Sequence, residues 1–373
     1  MLLFRTLLTV LLYLCCISQS AGQLTTADCL KDNLTTASPD QLNKLTDKLR
    51  DFLPGKSFYI IGESHTFLAN NDLQFALLKT LHQQGVYNVA NELPHATCFL
   101  FNQYLETGDE TILSGLRPEA TYSLLKKVRE FNLSFPKDQQ IRYYGIDYAD
   151  PKYNFYDLSA SLQTIRKYVV PASLPLDTLI DHYRLKEVIT LNDAKTLLAQ
   201  LNDKLQTEEK QYRSHFGTYY DDLLLMSSNI LGNRTNRDKS IFACFSLLYK
   251  LLQTKQKAPP KFLAFYGIGH LENLGTILQE NDGSPVKGSV AKIGIQYINC
   301  WAGWTTPSQQ TTGLYKGDKK AIAQLVSYCA AQPWHAALLN GNDCLNFKRG
   351  SSLDAVFIFN RYGDRKMNSW KFD

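Results

Sequence analysis

The sequence lacks several features that would place it at once in a well-known class of proteins. After the first 22 residues, none of its apolar stretches is long enough to cross a bilayer. Its basic residues are scattered among acidic ones, and the net charge is only +5. It also has no Pro/Ser/Gly-rich linker and no internal repeat. We therefore predict no stable membrane span, no nucleic-acid partner, and a single domain over residues 23–373.

Two common chemical motifs are missing as well. Without a Cys-x-x-Cys pair, the sequence indicates neither a zinc ribbon nor a thioredoxin-type redox site. It has no Gly-x-Ser-x-Gly elbow, the turn that presents the nucleophile of many serine hydrolases. Ser64 lies instead between Glu63 and His65, with Thr66 following. This order disfavours a conventional nucleophilic serine.

The first 22 residues have the pattern of a secretory signal peptide. Arg5 supplies a positive charge, residues 7–16 form a mainly apolar run, and small residues follow from Ser18 to Gly22. We expect residues 1–22 to be removed and the mature protein to be exported, either secreted or periplasmic. The residues that precede Cys15 and Cys16 fit a lipoprotein signal poorly, so we do not expect a lipid anchor.

An even number of cysteines remains after that segment, which permits disulfides in an exported protein. We favour a pair between Cys329 and Cys344, because these two flank a loop that contains Gly, Asn and Pro. The other pairings stay open. They involve Cys29, Cys98, Cys244 and Cys300.

Short apolar strands alternate with helical patterns along most of the chain. The strand signals cover residues 57–61, 86–90, 141–146, 261–266, 290–298 and 354–359. Between the third and the fourth of these, residues of about 153–257 show apolar positions at helical spacing only. The pattern predicts an α/β fold with a largely parallel central sheet covered by helices. An all-helical insertion is expected between the third and fourth main strands.

Charged side chains follow four of the predicted strands. Glu63 and His65 follow the first strand, Glu92 the second, Asp147 the third and His270 the fourth. In an open parallel sheet the carboxyl ends of the strands share one edge, and ligands bind there. Taken singly, each residue is also typical of a solvated turn, a helix N-cap or a helix start. Because Gly-x-x-His occurs twice after a predicted strand, we expect the residues to converge in one cleft.

This set of residues suits two kinds of chemistry. Two histidines beside a carboxylate can take a proton from water and return it to a leaving group. Imidazole with carboxylate is also a ligand set for zinc, manganese or iron. His95 comes three residues after Glu92 and could form a second Glu/His pair with it. Because Pro94 disrupts a regular helical arrangement of the two, we interpret His95 as structural or supporting. Arg237 precedes a helical pattern and either holds an anion beside the cleft or is an ordinary charged helix start.

Several segments, in order along the chain, resemble the erythromycin esterase-like family. The first is Ile60-Ile61-Gly62-Glu63-Ser64-His65, and the second is Val86-Tyr87-Asn88-Val89-Ala90-Asn91-Glu92. The later ones are Val128-Arg129-Glu130-Phe131-Asn132, Tyr144-Gly145-Ile146-Asp147, Arg237-Asp238, Phe265-Tyr266-Gly267-Ile268-Gly269-His270-Leu271 and Leu353-Asp354-Ala355-Val356-Phe357-Ile358-Phe359. Each motif is short, but the ordered matches cover about residues 58–360, which is nearly the whole predicted mature chain.

The resemblance implies an α/β fold with one site at the strand ends. In the esterase branch it implies metal-independent hydrolysis, with the first histidine as the base that activates water. Carried over to this chain, His65 is the base, with Glu63, Glu92 and His270 in support and Arg237 assisting. Substrate binding or support is assigned to Asp147, His95 and Arg129. We predict a hydrolase of an ester, lactone or related bond in a small-molecule or peptide substrate, with no cofactor firmly predicted.

One spacing departs from the esterase pattern. That pattern separates the glutamate and the histidine by two residues, whereas only Ser64 separates Glu63 from His65. The shorter spacing resembles the Tiki/TraB-type branch of the wider superfamily, which implies a divalent metal and peptidase activity. The metal ligands would then be His65, Glu92 and His270. The superfamily also includes ChaN-like haem-uptake proteins, which leaves a non-enzymatic ligand-binding function open.

Overall fold

The computed structural model describes nine stretches of the chain. They are residues 26–113, 119–148, 155–168, 191–231, 234–303, 308–314, 319–340, 344–345 and 353–363. The predicted signal peptide, residues 1–22, lies outside the described residues. No helix within the described stretches combines the length and the apolar character needed to span a membrane.

One mixed sheet contains all the strands of the described residues. They are β1 (Leu34–Ala37), β2 (Phe58–Glu63), β3 (Val86–Asn91), β4 (Arg142–Gly145), β5 (Lys261–Gly267), β6 (Val290–Ala302), β7 (Ser308–Thr312), β8 (Ala336–Asn340) and β9 (Ala355–Asn360). Their order across the sheet is β1-β8-β9-β6-β2-β5-β3-β4, and β7 pairs with β6.

Helices cover the sheet and fill the stretch between β4 and β5. They are α1 (Thr26–Asn33), α2 (Leu42–Phe52), α3 (Leu68–His82), α4 (His95–Thr107), α5 (Glu119–Asn132), α6 (Phe155–Tyr168), α7 (Leu191–Thr207), α8 (Glu209–Phe216), α9 (Tyr220–Leu231), α10 (Arg237–Gln253), α11 (His270–Glu280) and α12 (Lys319–Ala330). Every regular element of the described residues between β4 and β5 is helical.

The central strands are parallel, and the antiparallel pairs lie outside them. All neighbours from β9 through β6, β2, β5 and β3 to β4 run parallel. The pairs β1/β8, β8/β9 and β6/β7 are antiparallel. The predicted α/β fold with a largely parallel, helix-covered sheet is therefore confirmed. The sequence patterns did not identify three strands, which are β1, β7 and β8, so the antiparallel part of the sheet was not predicted.

Alternating side chains of the strands pack into two hydrophobic cores, one on each face of the sheet. In β2, Tyr59 and Ile61 join the core covered by α2, α3 and α5. Phe58 and Ile60 of the same strand join the core covered by α10, α11 and α12. Each such side chain, when fully buried, contributes about 1.5–3 kcal/mol relative to an exposed one. Burial on both faces explains why the central strands are continuously apolar.

A disulfide joins Cys29 to Cys344, so the expected pair of Cys329 with Cys344 is wrong. The antiparallel pairing of β1 with β8 explains the difference. Leu34 lies opposite Leu339, Cys29 comes five residues before Leu34 (34 − 29), and Cys344 comes five residues after Leu339 (344 − 339). Because the two strands are antiparallel, both cysteines lie beyond the same end of the pair. Cys329 is instead a free, buried thiol in α12. The pairing depends on a strand contact that the sequence pattern did not indicate.

Candidate active site

The carboxyl ends of three neighbouring strands bring the candidate residues together. In the sheet order β2-β5-β3, β2 ends at Glu63, β5 is followed by His270, and β3 is followed by Glu92. His65 lies two residues after Glu63, in the turn between β2 and α3. The predicted convergence of these four residues is therefore present in the structure.

Glu92 lies at the centre of the cluster. Its Oε1 accepts a hydrogen bond of 2.7 Å from Arg237 Nη2, and its Oε2 accepts one of 2.5 Å from the backbone N–H of Gly267. The Nε2 atom of His270 lies 3.4 Å from Oε1, and the Nε2 atom of His65 lies 3.7 Å from Oε2. Both histidine rings therefore face one carboxylate from two sides.

The surroundings of Glu92 favour its ionised form. Burial by itself raises the pKa of this carboxyl group. The hydrogen bonds from His270 and from Gly267 N–H, together with the charges of His270 and His65, outweigh burial and lower the pKa to about 2. Glu92 is thus a fixed negative charge between the two imidazole rings at neutral pH.

His65 is the most accessible member of the cluster. Its Nδ1 atom lies 2.9 Å from Glu63 Oε1, and 57% of its side chain is exposed. The hydrogen bond to Glu63 raises the pKa of His65, with burial acting in the opposite direction. Burial raises the pKa of Glu63, and its hydrogen bond to His65 opposes that rise. With Nδ1 held in this way, Nε2 is the ring atom left to face the cleft.

The turn that carries His65 is held from two sides. Thr66 has a φ of 75°, a left-handed conformation that is uncommon for a residue other than glycine. Asn70 in α3 donates a hydrogen bond of 2.9 Å to the backbone oxygen of Ser64, and Tyr297 in β6 donates to the Asn70 side chain. Gly303 N–H adds a bond of 3.2 Å to Thr66 Oγ1. Such contacts can maintain a strained turn in a fixed position.

His270 has a different environment from that of His65. Only 14% of its side chain is exposed, and its Nδ1 atom bonds to Asp238 at the start of α10. Burial lowers the pKa of His270, but the hydrogen bonds to Asp238 and Glu92 raise it more, to about 9. His270 is therefore mainly an imidazolium ion at neutral pH. The sequence analysis named Asp238 only as part of the Arg237-Asp238 segment, and nothing in its spacing pointed to a contact with His270.

Arg237 joins Glu92 to Asp147. Its Nε atom donates a hydrogen bond of 3.0 Å to Asp147 Oδ1, and its Nη2 atom bonds to Asp147 as well as to Glu92. These two carboxylates raise the pKa of Arg237 further above its ordinary value. Asp147 is 4% exposed, so the guanidinium compensates a buried charge. Within the described residues, no hydrogen bond is made by Nη1 of this half-exposed arginine.

The two glycines that precede the histidines serve different purposes. A Cβ atom on Gly62 would lie 2.3 Å from Leu271 Cδ1, so the absence of a side chain at Gly62 leaves room for the Leu271 side chain to pack against β2. A Cβ atom on Gly267 would lie 3.4 Å from His65 Nε2 and 3.5 Å from Glu92 Oε2. Gly267 therefore leaves space between the two functional side chains and directs its N–H at Glu92.

His95 lies beside the cluster and bonds away from it. Its Nε2 atom is 2.8 Å from Asp222 Oδ1, and its backbone N–H donates to Asn229 Oδ1 at 2.6 Å. Its ring is fully buried and stacks on Tyr144 at a centroid distance of 6.1 Å. These contacts attach the chain that follows Glu92 to α9, which is a structural arrangement.

The structure does not bring Arg129 to the cleft. Its guanidinium packs on Gly108, where a Cβ atom would lie 2.5 Å from Arg129 Nη2. Gly108 caps the carboxyl end of α4, whereas Glu92 precedes the amino end of that 13-residue helix. A helix of this length separates the two by about 20 Å. Arg129 therefore lies away from the residues that converge at the strand ends.

The cluster does not have the form of a metal site. Among the described residues, no three His, Cys, Asp or Glu side chains are arranged to hold a metal ion. Both oxygens of Glu92 already accept short hydrogen bonds, one of them from the Arg237 cation. A divalent ion at His65, Glu92 and His270 would have to displace that arginine or lie beside its positive charge. These residues therefore do not fit the metal site that the Tiki-type resemblance implied.

Comparison with known proteins gives solved structures of similar fold. A mutant of erythromycin esterase EreC in its open conformation aligns with a TM-score of 0.60 at 13% identity, over 88% of this chain and 98% of that one. A Bacillus cereus protein aligns with a TM-score of 0.59 at 13% identity, over 90% and 97% of the two chains. A succinoglycan biosynthesis protein aligns with a TM-score of 0.55 at 13% identity, over 90% and 96%.

No protein-family profile and no curated protein sequence matches the chain. At 13% identity the structural likeness shows the fold alone. The protein therefore has an erythromycin esterase-like α/β fold, and its activity has to be argued from its own residues.

Proposed function

We propose that the protein is an exported, single-domain hydrolase of an ester, lactone or related bond, with His65 as the base that activates water. One observation carries the proposal: an exposed imidazole is fixed by a carboxylate on Nδ1 and presents Nε2 to a second carboxylate at the edge of a parallel sheet. An oriented imidazole with an accessible ring nitrogen is what general-base catalysis requires. The structural likeness to an erythromycin esterase supports a hydrolase in coarse terms.

In the proposed reaction, His65 Nε2 takes a proton from a water molecule while the water oxygen attacks the carbonyl carbon of the substrate. The C–O bond to the leaving group then breaks, and His65 returns the proton to the leaving alcohol oxygen. The products are a carboxylic acid and an alcohol. Glu63 stabilises the imidazolium of His65 through Nδ1, and ionised Glu92 lies 3.7 Å from Nε2.

The negative charge that develops on the carbonyl oxygen needs donors. The cluster offers the imidazolium of His270 and the guanidinium of Arg237, whose Nη1 atom makes no hydrogen bond within the described residues. Asp147 orients that guanidinium through its hydrogen bonds with Nε and Nη2 and has no role at the reacting atoms. Donors that are already oriented stabilise a developing oxyanion more strongly than mobile water does.

Two observations favour this proposal over a metallopeptidase on the same residues. Arg237 already bonds to Glu92 Oε1, whereas a carboxylate oxygen that coordinates a metal ion would have to be free of that cation. In addition, Glu63 orients the accessible His65 ring through Nδ1, as a carboxylate commonly orients the histidine of a general-base site. For a haem-binding function of ChaN-like type, no contact of the described residues gives specific support.

The test is hydrolysis of a panel of p-nitrophenyl esters, simple lactones and dipeptides by the purified protein, with and without a chelator. We expect ester or lactone cleavage that survives chelation and is lost in His65→Ala. His215→Ala, which removes a histidine from α8 outside the cluster, is the matched control and should keep the activity.

Three results would overturn the proposal. Wild-type rates in His65→Ala would remove His65 as the base. Peptide cleavage that chelation abolishes, without ester or lactone cleavage, would replace the proposal with the metallopeptidase. A Soret shift on haem titration that disappears in His65→Ala and His270→Ala, with no hydrolysis, would replace it with a binding protein.

A further inference from the structure

His270 lies between two carboxylates, and one of them, Asp238, has no role in the proposed reaction. The first residue of α11 is His270, and the second residue of α10 is Asp238. Their side chains bond through Nδ1, while Nε2 lies 3.4 Å from Glu92 Oε1. The ring is 14% exposed, so water replaces neither contact easily.

The hydrogen-bonding capacity of these groups restricts the state of the ring. An ionised carboxylate only accepts hydrogen bonds, and a neutral imidazole has one N–H. A ring with an accepting carboxylate at both nitrogens is fully satisfied only when both nitrogens carry a proton. The other groups that face it are the Tyr266 ring, in edge contact at a centroid distance of 5.5 Å, and Arg237 and His65 across Glu92.

We propose that Asp238 is a positioning residue of the site: it accepts the Nδ1 proton of His270 and thereby keeps Nε2–H directed at Glu92 and the cleft. Its consequence for catalysis rests on the proposed function, whereas its effect on the ring does not. Asp238 thus makes His270 a fixed donor and leaves His65 as the histidine that can accept a proton. Triads of nucleophilic hydrolases use a buried aspartate on Nδ1 in a comparable way.

The start of α10 is suited to this task. Arg237 and Asp238 are adjacent, yet the first bonds to Glu92 and Asp147 while the second bonds to His270. One helix end therefore holds both cationic groups of the site in register. An acidic residue in the first helical turn is also stabilised by the helix dipole.

The other buried histidine–carboxylate pair provides a comparison within the same chain. His95 bonds to Asp222 through Nε2, but its Nδ1 atom has no partner within the described residues. A single accepting carboxylate is satisfied by a neutral ring, so this pair does not require a second proton. The requirement is therefore specific to a ring with a carboxylate within 3.5 Å of both nitrogens, which excludes His65, whose Nε2 lies 3.7 Å from Glu92.

The experiment is nitrogen NMR of the full protein labelled with 15N-histidine, recorded at about pH 8, where a free histidine is neutral. His270→Gln identifies the His270 signals. In the wild type we expect both ring nitrogens of His270 to carry protons. In Asp238→Asn one nitrogen should move to the position of an unprotonated ring nitrogen, and Asp238→Glu should restore the wild-type state. Asp222→Asn, the matched control, should leave the His270 signals in place.

A neutral His270 ring in the wild type would overturn the assignment without any variant, and so would an unchanged His270 in a folded Asp238→Asn protein. The same variants are then assayed on the best ester of the panel. We expect Asp238→Asn to lower kcat by about 100-fold with little change in KM, and Asp238→Glu to recover part of the loss. Absence of ester hydrolysis in the wild type would contradict the proposed function and leave the NMR result standing.

Discussion

The two Gly-x-x-His segments end neighbouring strands of one sheet, yet they place their histidines in opposite surroundings. Each ring has a carboxylate near both of its nitrogens, but His65 is 57% exposed and its Nε2 lies 3.7 Å from Glu92, whereas His270 is 14% exposed and its Nε2 lies 3.4 Å from Glu92. Both rings face Glu92 from opposite sides. A repeated sequence motif therefore does not imply a repeated role: exposure and the distance from Nε2 to Glu92 assign His65 as a proton acceptor and His270 as a donor.

The largest effect is expected from removing the accessible ring. His65→Ala should lower kcat for ester hydrolysis by about 10²–10⁴-fold, the usual contribution of a general base. Stability should change little because the ring is exposed, which thermal unfolding followed by circular dichroism would verify. A comparable rate in His65→Ala and the wild type would mean that the two histidines had been assigned in the wrong order.

The next effect concerns the space beside that ring. Gly267→Ala keeps the N–H that bonds to Glu92 but adds a methyl group 3.4 Å from His65 Nε2. We expect the methyl group to occupy the position of the attacking water and to lower kcat about tenfold or more. The melting temperature should stay near that of the wild type, because these distances are ordinary van der Waals contacts. Full activity in this variant would show that water approaches from another direction.

The equivalent glycine of the first segment should give the reverse result. In Gly62→Ala the new methyl group would lie 2.3 Å from Leu271 Cδ1, so the buried Leu271 side chain would have to move from its packed position. Such overpacking destabilises a protein by about 1–3 kcal/mol, measurable by chemical denaturation. If Gly62→Ala were as stable as Gly267→Ala, the packing explanation for the first glycine would be wrong.

The smallest effect is a change in the pH dependence of stability. The folded-state pKa of His270 is raised to about 9 from 6.5, so the folded protein binds this proton more tightly than the unfolded chain does. Its contribution to stability is complete below pH 6.5 and is lost as the pH rises through 9. We expect the free energy of unfolding to decline less steeply over this range in His270→Gln than in the wild type.

Urea unfolding at a series of pH values measures this decline. His215→Gln, in α8 and outside the cluster, is the control and should keep the wild-type slope. An identical slope in His270→Gln would show that the ring is not stabilised as a cation in the folded protein.

The sequence predicted the part of the fold that depends on local pattern. The central strands are continuously apolar because both of their faces are buried, and that pattern is visible without a structure. It did not reveal β8, whose Ala336-Ala337-Leu338-Leu339-Asn340 consists mainly of residues that favour helices. Pairing with β9 and β1 determines that strand, and a local pattern contains no such information.

The candidate site could be predicted to the extent that strand ends determine it. Glu63, Glu92 and His270 follow parallel strands, so topology alone brings them to one edge. The contacts of Asp238 and Arg129 depend instead on how helices pack against that edge. Asp238 reaches His270 from the start of α10, whereas Arg129 packs at the far end of α4. The sequence spacing of these residues does not encode either outcome.

The pH dependence of kcat/KM for the best ester tests the division between the two histidines most directly. We predict a bell-shaped profile, because activity requires deprotonated His65, whose pKa is raised above 6.5, and protonated His270, whose pKa is about 9. In His270→Gln the alkaline limb should disappear while the acidic limb remains. An alkaline limb that persists in His270→Gln would contradict the account. So would a His65→Ala protein whose kcat/KM rises with pH on the acidic side as it does in the wild type.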